Sequence, residues 1–300
     1  MSHRILYIEN SKKLNLYLDN LHIESEHGEL LFPVSDLQIL VIDNYQSVLT
    51  IPLINKLTEN NVCVIICGYD HLPQSYLLPM NGHFAQSGNI RLQIKWSEDV
   101  KAVVHQLIVK AKILNQIEVL KVNNKDFNVI EKLYQYVDEV QPGDVTNREG
   151  LAAKMYFRAL FGNDFSREDD DVINAGLNYG YAVFRSLISS IIVAKGYLPN
   201  IGFFHKGKEN MFNLSDDLIE VYRPIVDHFV YNNLSDEMIF KREHRLSLIQ
   251  LTNHKLLIDD KKQTIANSIY LYFEGILKFI ETGNVDNFVF PLPHLYDNDI

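Results

Sequence analysis

SEDVKAVVHQLIVKAKILNQI, running from Ser97 to Ile117, is the stretch at which the pattern of the chain changes. Val100, Val103, Val104, Leu107, Ile108, Ala111, Leu114 and Ile117 recur at helical spacing, giving one apolar stripe behind Ser97 as N-cap. On its N-terminal side the period is two. Ile5-Leu6-Tyr7-Ile8, Leu14 to Leu18, Leu21-His22-Ile23, Leu30 to Pro33, Ile39 to Ile42 and Val62 to Ile66 read as short strands. Asp19-Asn20 is expected as a two-residue hairpin loop and Glu26 to Glu29 as the next turn, with one short helix over Thr50 to Asn60. Residues 71–95, with Pro73, Pro79, Gly82 and Gly88, suit a connecting segment. Beyond Ser97 helices are expected near Phe127 to Val140, Asn147 to Phe161, Val172 to Lys195, Asp216 to Val230, Arg242 to Leu257 and Gln263 to Glu281. The predicted class is α+β, with a small N-terminal β-domain (1–70), a linker (71–95) and a larger all-helical C-terminal domain (96–300).

A chain of 300 residues, 47% hydrophobic and 22% charged, can bury sizeable cores without staples. No uninterrupted apolar run reaches the roughly 20 residues that span a bilayer, and the opening residues lack a signal-peptide core, so a cytoplasmic protein with no membrane contact is expected. Cys63 and Cys67 sit in an apolar run and read as buried free thiols. The formal charge of −10 is not the broad basic footprint of a DNA-binding protein. It is compatible with a site that gathers carboxylates around a cation and touches phosphate through a local stripe of Lys and Arg.

Three segments carry candidate chemistry. Thr146 and Glu149 fit a capping box at a helix start, which by itself explains Glu149. His205 follows the apolar Ile201 to Phe204 in a Gly-flanked turn, although spacing alone does not single it out among 11 histidines. Asp217 and Glu220 share one helix face three residues apart, where either a cation holds them or Arg223 pairs with Glu220. Two carboxylates and one imidazole make a plausible divalent-cation site, with the imidazole tilting the choice from Mg²⁺ toward Mn²⁺.

The order NREGLAAKMYF (Asn147 to Phe157), NYGYA (Asn178 to Ala182), GFFH (Gly202 to His205) and DLIEVYRP (Asp217 to Pro224) resembles the universal CRISPR-associated integrase and endonuclease family, its type II subgroup above all. The resemblance implies a β-domain followed by a helical catalytic domain, with Glu149, His205 and Glu220 as catalytic metal ligands for Mg²⁺ or Mn²⁺. Many members carry Asp where Glu220 stands, so Asp217 is left as either a ligand or a support behind the ligands. Tyr179 is implied to lie near the reacting DNA, and Arg148, Lys154 and Arg223 are candidate DNA contacts. The implied reaction joins the 3′-hydroxyl ends of captured double-stranded DNA fragments to CRISPR repeat boundaries by transesterification. The implied assembly is a homodimer, two of which are bridged by a small ferredoxin-like adaptation protein, with other type II proteins as further partners. Two rival readings are a divalent-metal repair nuclease without integration and a non-catalytic DNA-binding scaffold.

Overall fold

The computed structural model describes residues 4–10, 13–25 and 28–292. The chain divides into two compact units, residues 1–91 with 186–198, and residues 92–185 with 199–300.

The first unit holds two four-stranded sheets. Strands β1 (Arg4–Ile8), β2 (Lys13–Tyr17), β3 (Asn20–Ser25), β4 (Gly28–Pro33), β5 (Leu37–Ile42) and β6 (Val48–Leu49) precede helix α1 (Ile51–Glu59), which is followed by β7 (Cys63–Cys67) and β8 (Pro73–Leu77). One sheet runs β1-β5-β7-β8, its first three strands parallel and β8 antiparallel; the other runs β4-β3-β2-β6. The chain crosses between parallel β5 and β7 through α1, whose Leu53 and Leu57 pack with Leu14, Leu40 and Val64 in one core. The hairpin loop falls one residue earlier than expected, on Leu18 and Asp19, which carry φ of 46° and 60°, and Asn20 pairs with Tyr17. Two successive positive φ values match the right-handed strand twist. Part of the expected turn at Glu26 to Glu29 lies outside the described residues. Cys63 and Cys67 are buried free thiols, and burial pushes the Cys63 thiol up to about 12.

Residues 71–95, expected as a connection, instead contain β8 and helix α2 (Gln86–Ile94). Pro73 is tolerated because it opens a strand at the sheet edge, where its missing N–H leaves no ladder bond unmade.

The second unit is built on α3 (Glu98–Val122), α4 (Phe127–Glu139), α5 (Arg148–Phe161) and the N-terminal part of α6 (Val172–Ala194). It continues through α7 (Asn213–Ile219), α8 (Arg223–Leu234), α9 (Arg242–Gln250), β9 (Lys255–Ile258), β10 (Lys261–Thr264) and α10 (Ile265–Thr282). Val109, Ile113 and Ile117 of α3 share a core with Ile130 and Leu133 of α4 and Tyr156 and Leu160 of α5. Helix α6 is long and apolar enough to cross a bilayer, which the sequence reading overlooked, yet 78% of its apolar window is buried inside the protein, as in a core helix.

The C-terminal half is not all helical. β9 and β10 form an antiparallel hairpin where Arg242 to Leu257 was expected as one helix, because Asp259 and Asp260 both adopt positive φ in a tight turn. The helix expected over Asp216 to Val230 is also two, α7 and α8. Pro224 lacks the N–H to bond the Glu220 carbonyl and its ring clashes there, so the helix breaks at Glu220.

Candidate active site

Helix α5 starts without help from the Glu149 side chain. Gly143 and Asp144 take φ of 71° and 45°, which turns the Asp144 carboxylate back onto the helix start. It accepts hydrogen bonds from the amides of Arg148 and Glu149, each at 2.9 Å, while Asn147 Oδ1 accepts from the Gly150 amide at 3.3 Å. The capping box of Thr146 and Glu149 therefore does not form. Glu149 turns to α3 instead, with Oε1 2.6 Å from Lys112 Nζ and Oε2 3.7 Å from His105 Nε2.

Glu220 reaches the same ammonium from the break between α7 and α8. Its Oε1 accepts from Arg223 Nε at 2.9 Å and its Oε2 faces Lys112 Nζ. Asn115, one turn along α3 from Lys112, donates to the Val221 carbonyl at 2.7 Å and so holds the residue after Glu220 in place. One helix thus gathers both acids.

His205 is placed by Asp217. The amides of Phe203, Phe204 and His205 all donate to the buried Asp217 carboxylate, and His205 Nδ1 lies 2.8 Å from its Oδ1. The chain wraps this closely because Gly202 has no side chain; a Cβ there would sit 2.6 Å from Asp217 Oδ2. Phe204 stacks on His105 with ring centres 3.8 Å apart, a second link to α3. These contacts of the Asp217 carboxylate are all with this loop and the His205 ring. Its hydrogen bond to Nδ1 leaves Nε2 as the ring nitrogen available to another partner, in a side chain that is 40% exposed.

The charges follow from these contacts. Burial opposes ionisation of Glu149, but Lys112 and His105 outweigh it and hold the carboxyl well below the usual range. Burial likewise opposes the charge on Glu220, and Arg223 and Lys112 overcome it. On Lys112 burial is again the largest influence, yet Glu220 and Glu149 together keep its pKa above the ordinary value. The hydrogen bond that His205 donates to the Asp217 carboxylate raises the pKa of His205.

Among the described residues no three His, Cys, Asp or Glu side chains converge as a ready metal-holding group. What the structure brings together is the Glu149 and Glu220 pair, meeting at a point that carries a positive charge; His205 stands with Asp217. By donor type, two carboxylates and an imidazole whose other nitrogen meets a carboxylate are groups that Mg²⁺ or Mn²⁺ accepts, but only the two carboxylates are brought to one point here.

Comparison with known proteins bears on this arrangement. Residues 6–268 match the family model described as CRISPR associated protein Cas1. The chain belongs to the Cas1 family. It is 37% identical over 227 residues, 76% of this chain and 74% of the relative, to the CRISPR-associated endonuclease Cas1 of Neisseria meningitidis serogroup C (strain 8013). Its fold is similar to that of a casposase bound to integration product (TM-score 0.74, 19% identity, 95% of this chain and 92% of the other). It is also similar to a chain of a Cas6-RT-Cas1–Cas2 complex (TM-score 0.74, 15% identity, 96% of this chain and 36% of the other).

The other residues singled out as DNA contacts in this Cas1-family chain are scattered. Arg148 Nε pairs with Glu139 at 3.0 Å, while Lys154 is exposed on α5 in a pocket facing α4. Tyr179 is in the core, fully buried with its ring edge against Phe240. Its neighbour Tyr181 is the tyrosine nearer the acids. Tyr181 lies under the guanidiniums of Arg223 and Arg167, at 4.4 and 5.6 Å from its ring centre, and with Lys112 and Glu220 it lines a pocket of about 160 Å³. Sequence reasoning missed Lys112, His105 and Tyr181. A signal existed for the first two, since His105, Lys112 and Asn115 are polar residues seven and three positions apart, among the buried positions of α3.

Tyr181 donates its hydroxyl to Asp227 on α8, and burial pushes the Asp227 carboxyl up to about 6 despite that bond. Between about pH 4 and pH 6 the folded state then binds more protons at this residue than the unfolded chain does, so stability falls as pH rises and levels off above. The difference across the window is on the order of 3 kcal/mol. Urea unfolding of wild type and Asp227→Asn across pH 4 to 8 is expected to show this step in the wild type and a flatter profile in the variant.

Proposed function

We propose that this Cas1-family chain is a divalent-metal-dependent DNA integrase of CRISPR spacer acquisition, of the type II kind. Its reaction joins the 3′-hydroxyl ends of captured DNA to CRISPR repeat boundaries. The attacking 3′-oxygen loses its proton and forms a new bond to phosphorus, the bond from that phosphorus to the 3′-oxygen of the target strand breaks, and the leaving 3′-oxygen takes up a proton to become a hydroxyl. The number of phosphodiesters is unchanged, so no energy source is required.

The observation that carries the reading is the meeting of Glu149 and Glu220, from different helices, at one buried point. Glu149, Glu220 and His205 would hold the cation, which would draw charge from the attacked phosphodiester and stabilise the leaving oxygen. Asp217 fixes the ring of His205 through Nδ1. Arg223 fixes Glu220 through Oε1 and, on the rim of the neighbouring pocket, offers positive charge to phosphate. The acting assembly is a homodimer, two of which are bridged by a small ferredoxin-like adaptation protein. A Cas1–Cas2 complex among the similar folds supports such a partner.

The test is an integration assay with end-labelled DNA, a plasmid carrying a CRISPR repeat, and the adaptation protein. Label is expected to join the plasmid covalently with Mn²⁺ or Mg²⁺, and to fail with a chelator or with 3′-dideoxy ends. Nicking without joining would replace this reading by a hydrolytic nuclease. DNA binding without either reaction would replace it by a scaffold.

A further inference from the structure

Lys112 occupies an unusual place for a lysine. It lies in the middle of a 25-residue helix, is only 8% exposed, and ends between the two acids that the proposed reaction needs. Its Nζ is 2.6 Å from Glu149 Oε1 and in direct contact with Glu220 Oε2. The second oxygen of each acid is engaged elsewhere, Glu220 Oε1 by Arg223 at 2.9 Å and Glu149 Oε2 toward His105 at 3.7 Å. The remaining oxygen of each acid is the one on the ammonium. A cation bound by both acids would have to use this same point, because Coulomb attraction draws any positive charge to where two carboxylates meet.

An ammonium and a divalent ion cannot share it. At separations near 4 Å in a partly buried site their repulsion exceeds the thermal energy many times over. A lysine suits a temporary occupant, having a compact charge on a flexible stem of four carbons, whereas the planar guanidinium of Arg223, bonded through Nε to Glu220, suits a permanent brace.

We propose that Lys112 is a resident cation that stands in for the divalent metal. In metal-free protein its ammonium holds Glu149 and Glu220 together, and it withdraws from between them when the metal binds. Metal affinity is then set by a competition inside the protein. This rests on the metal-dependent reading above and goes beyond it by assigning the competitor.

Two measurements test it, neither of them activity. Mn²⁺ binding is measured by calorimetry on wild type, Lys112→Met and Lys112→Gln, with circular dichroism to check folding. Both variants lack the competing charge, so each is expected to bind Mn²⁺ at least about tenfold more tightly than wild type. Amine acylation of the wild-type protein, read by peptide mapping, needs no variant. Lys112 is expected to be shielded without metal and to label at least about fivefold faster with Mn²⁺, as a side chain that leaves its buried seat becomes accessible. Equal or weaker binding by a folded variant overturns the proposal and leaves the integrase reading standing, as does labelling unchanged by a metal that binds. No Mn²⁺ binding by any of the three proteins overturns both.

Discussion

Glu149→Gln is expected to lower integration by at least about 100-fold while leaving DNA affinity unchanged or slightly raised. The substitution removes one negative charge and one strong ligand oxygen. It keeps the shape of the side chain and an acceptor for Lys112 Nζ, 2.6 Å away in the native protein. Fold damage is a poor alternative explanation for such a loss, because Asp144 and Asn147, not Glu149, satisfy the first amides of α5. The variant should unfold within about 2 kcal/mol of wild type, the scale of one altered charged hydrogen bond. DNA affinity moves the other way from activity because a carboxylate repels phosphate until a cation covers it. Integration assays and DNA titrations on the same preparation check both halves. Near-wild-type joining by Glu149→Gln would remove this residue from the chemistry.

The helix that begins at Ser97 was legible because its apolar period is unambiguous, and α4, α5 and α6 followed for the same reason. The errors have physical causes. A strong helical period ran on through Glu220 to Val230, but the proline at position 224 overrode it, and the break it imposes is what frees Glu220 to face α3. The run Leu256-Leu257-Ile258 is equally apolar in a helix or a strand; the backbone of Asp259 and Asp260 decided for the hairpin. In the site, the acids were readable by their resemblance to family motifs, but their partners were not. The spacing of His105, Lys112 and Asn115 could mark Lys112 as unusual, but it lies 37 residues before Glu149 and no local pattern says which acid it meets. Tyr179 and Tyr181 are two residues apart in one motif. Only the packing of α6 tells that the first faces the core and the second faces Arg223 and Asp227.

Asp217→Ala should be the most destabilising single change in the site. The Asp217 carboxylate accepts from three consecutive amides, those of Phe203, Phe204 and His205, and from the ring of His205. It is 2% exposed, so water does not replace it easily. Removing it orphans these donors together and leaves a void beside Gly202, which has no side chain to fill it. Charge-assisted hydrogen bonds contribute about 1.5 to 3 kcal/mol each, but the loop can relax partly toward solvent. A net loss of about 3 to 5 kcal/mol is therefore expected, a fall of roughly 10 °C in Tm for a unit of this size. Asp217→Asn keeps one acceptor oxygen and should lose about half as much. The loop carries His205 and its stacking of Phe204 on His105, so integration should fall in both variants, and more steeply in the alanine one. Thermal unfolding of the two variants beside Glu149→Gln separates the roles. A support behind the ligands shows itself by losing stability and activity in parallel, whereas a ligand loses activity with stability nearly intact. An Asp217→Ala protein that melts within about 1 kcal/mol of wild type would mean that the three amides find other partners, and that Asp217 acts on the reaction directly.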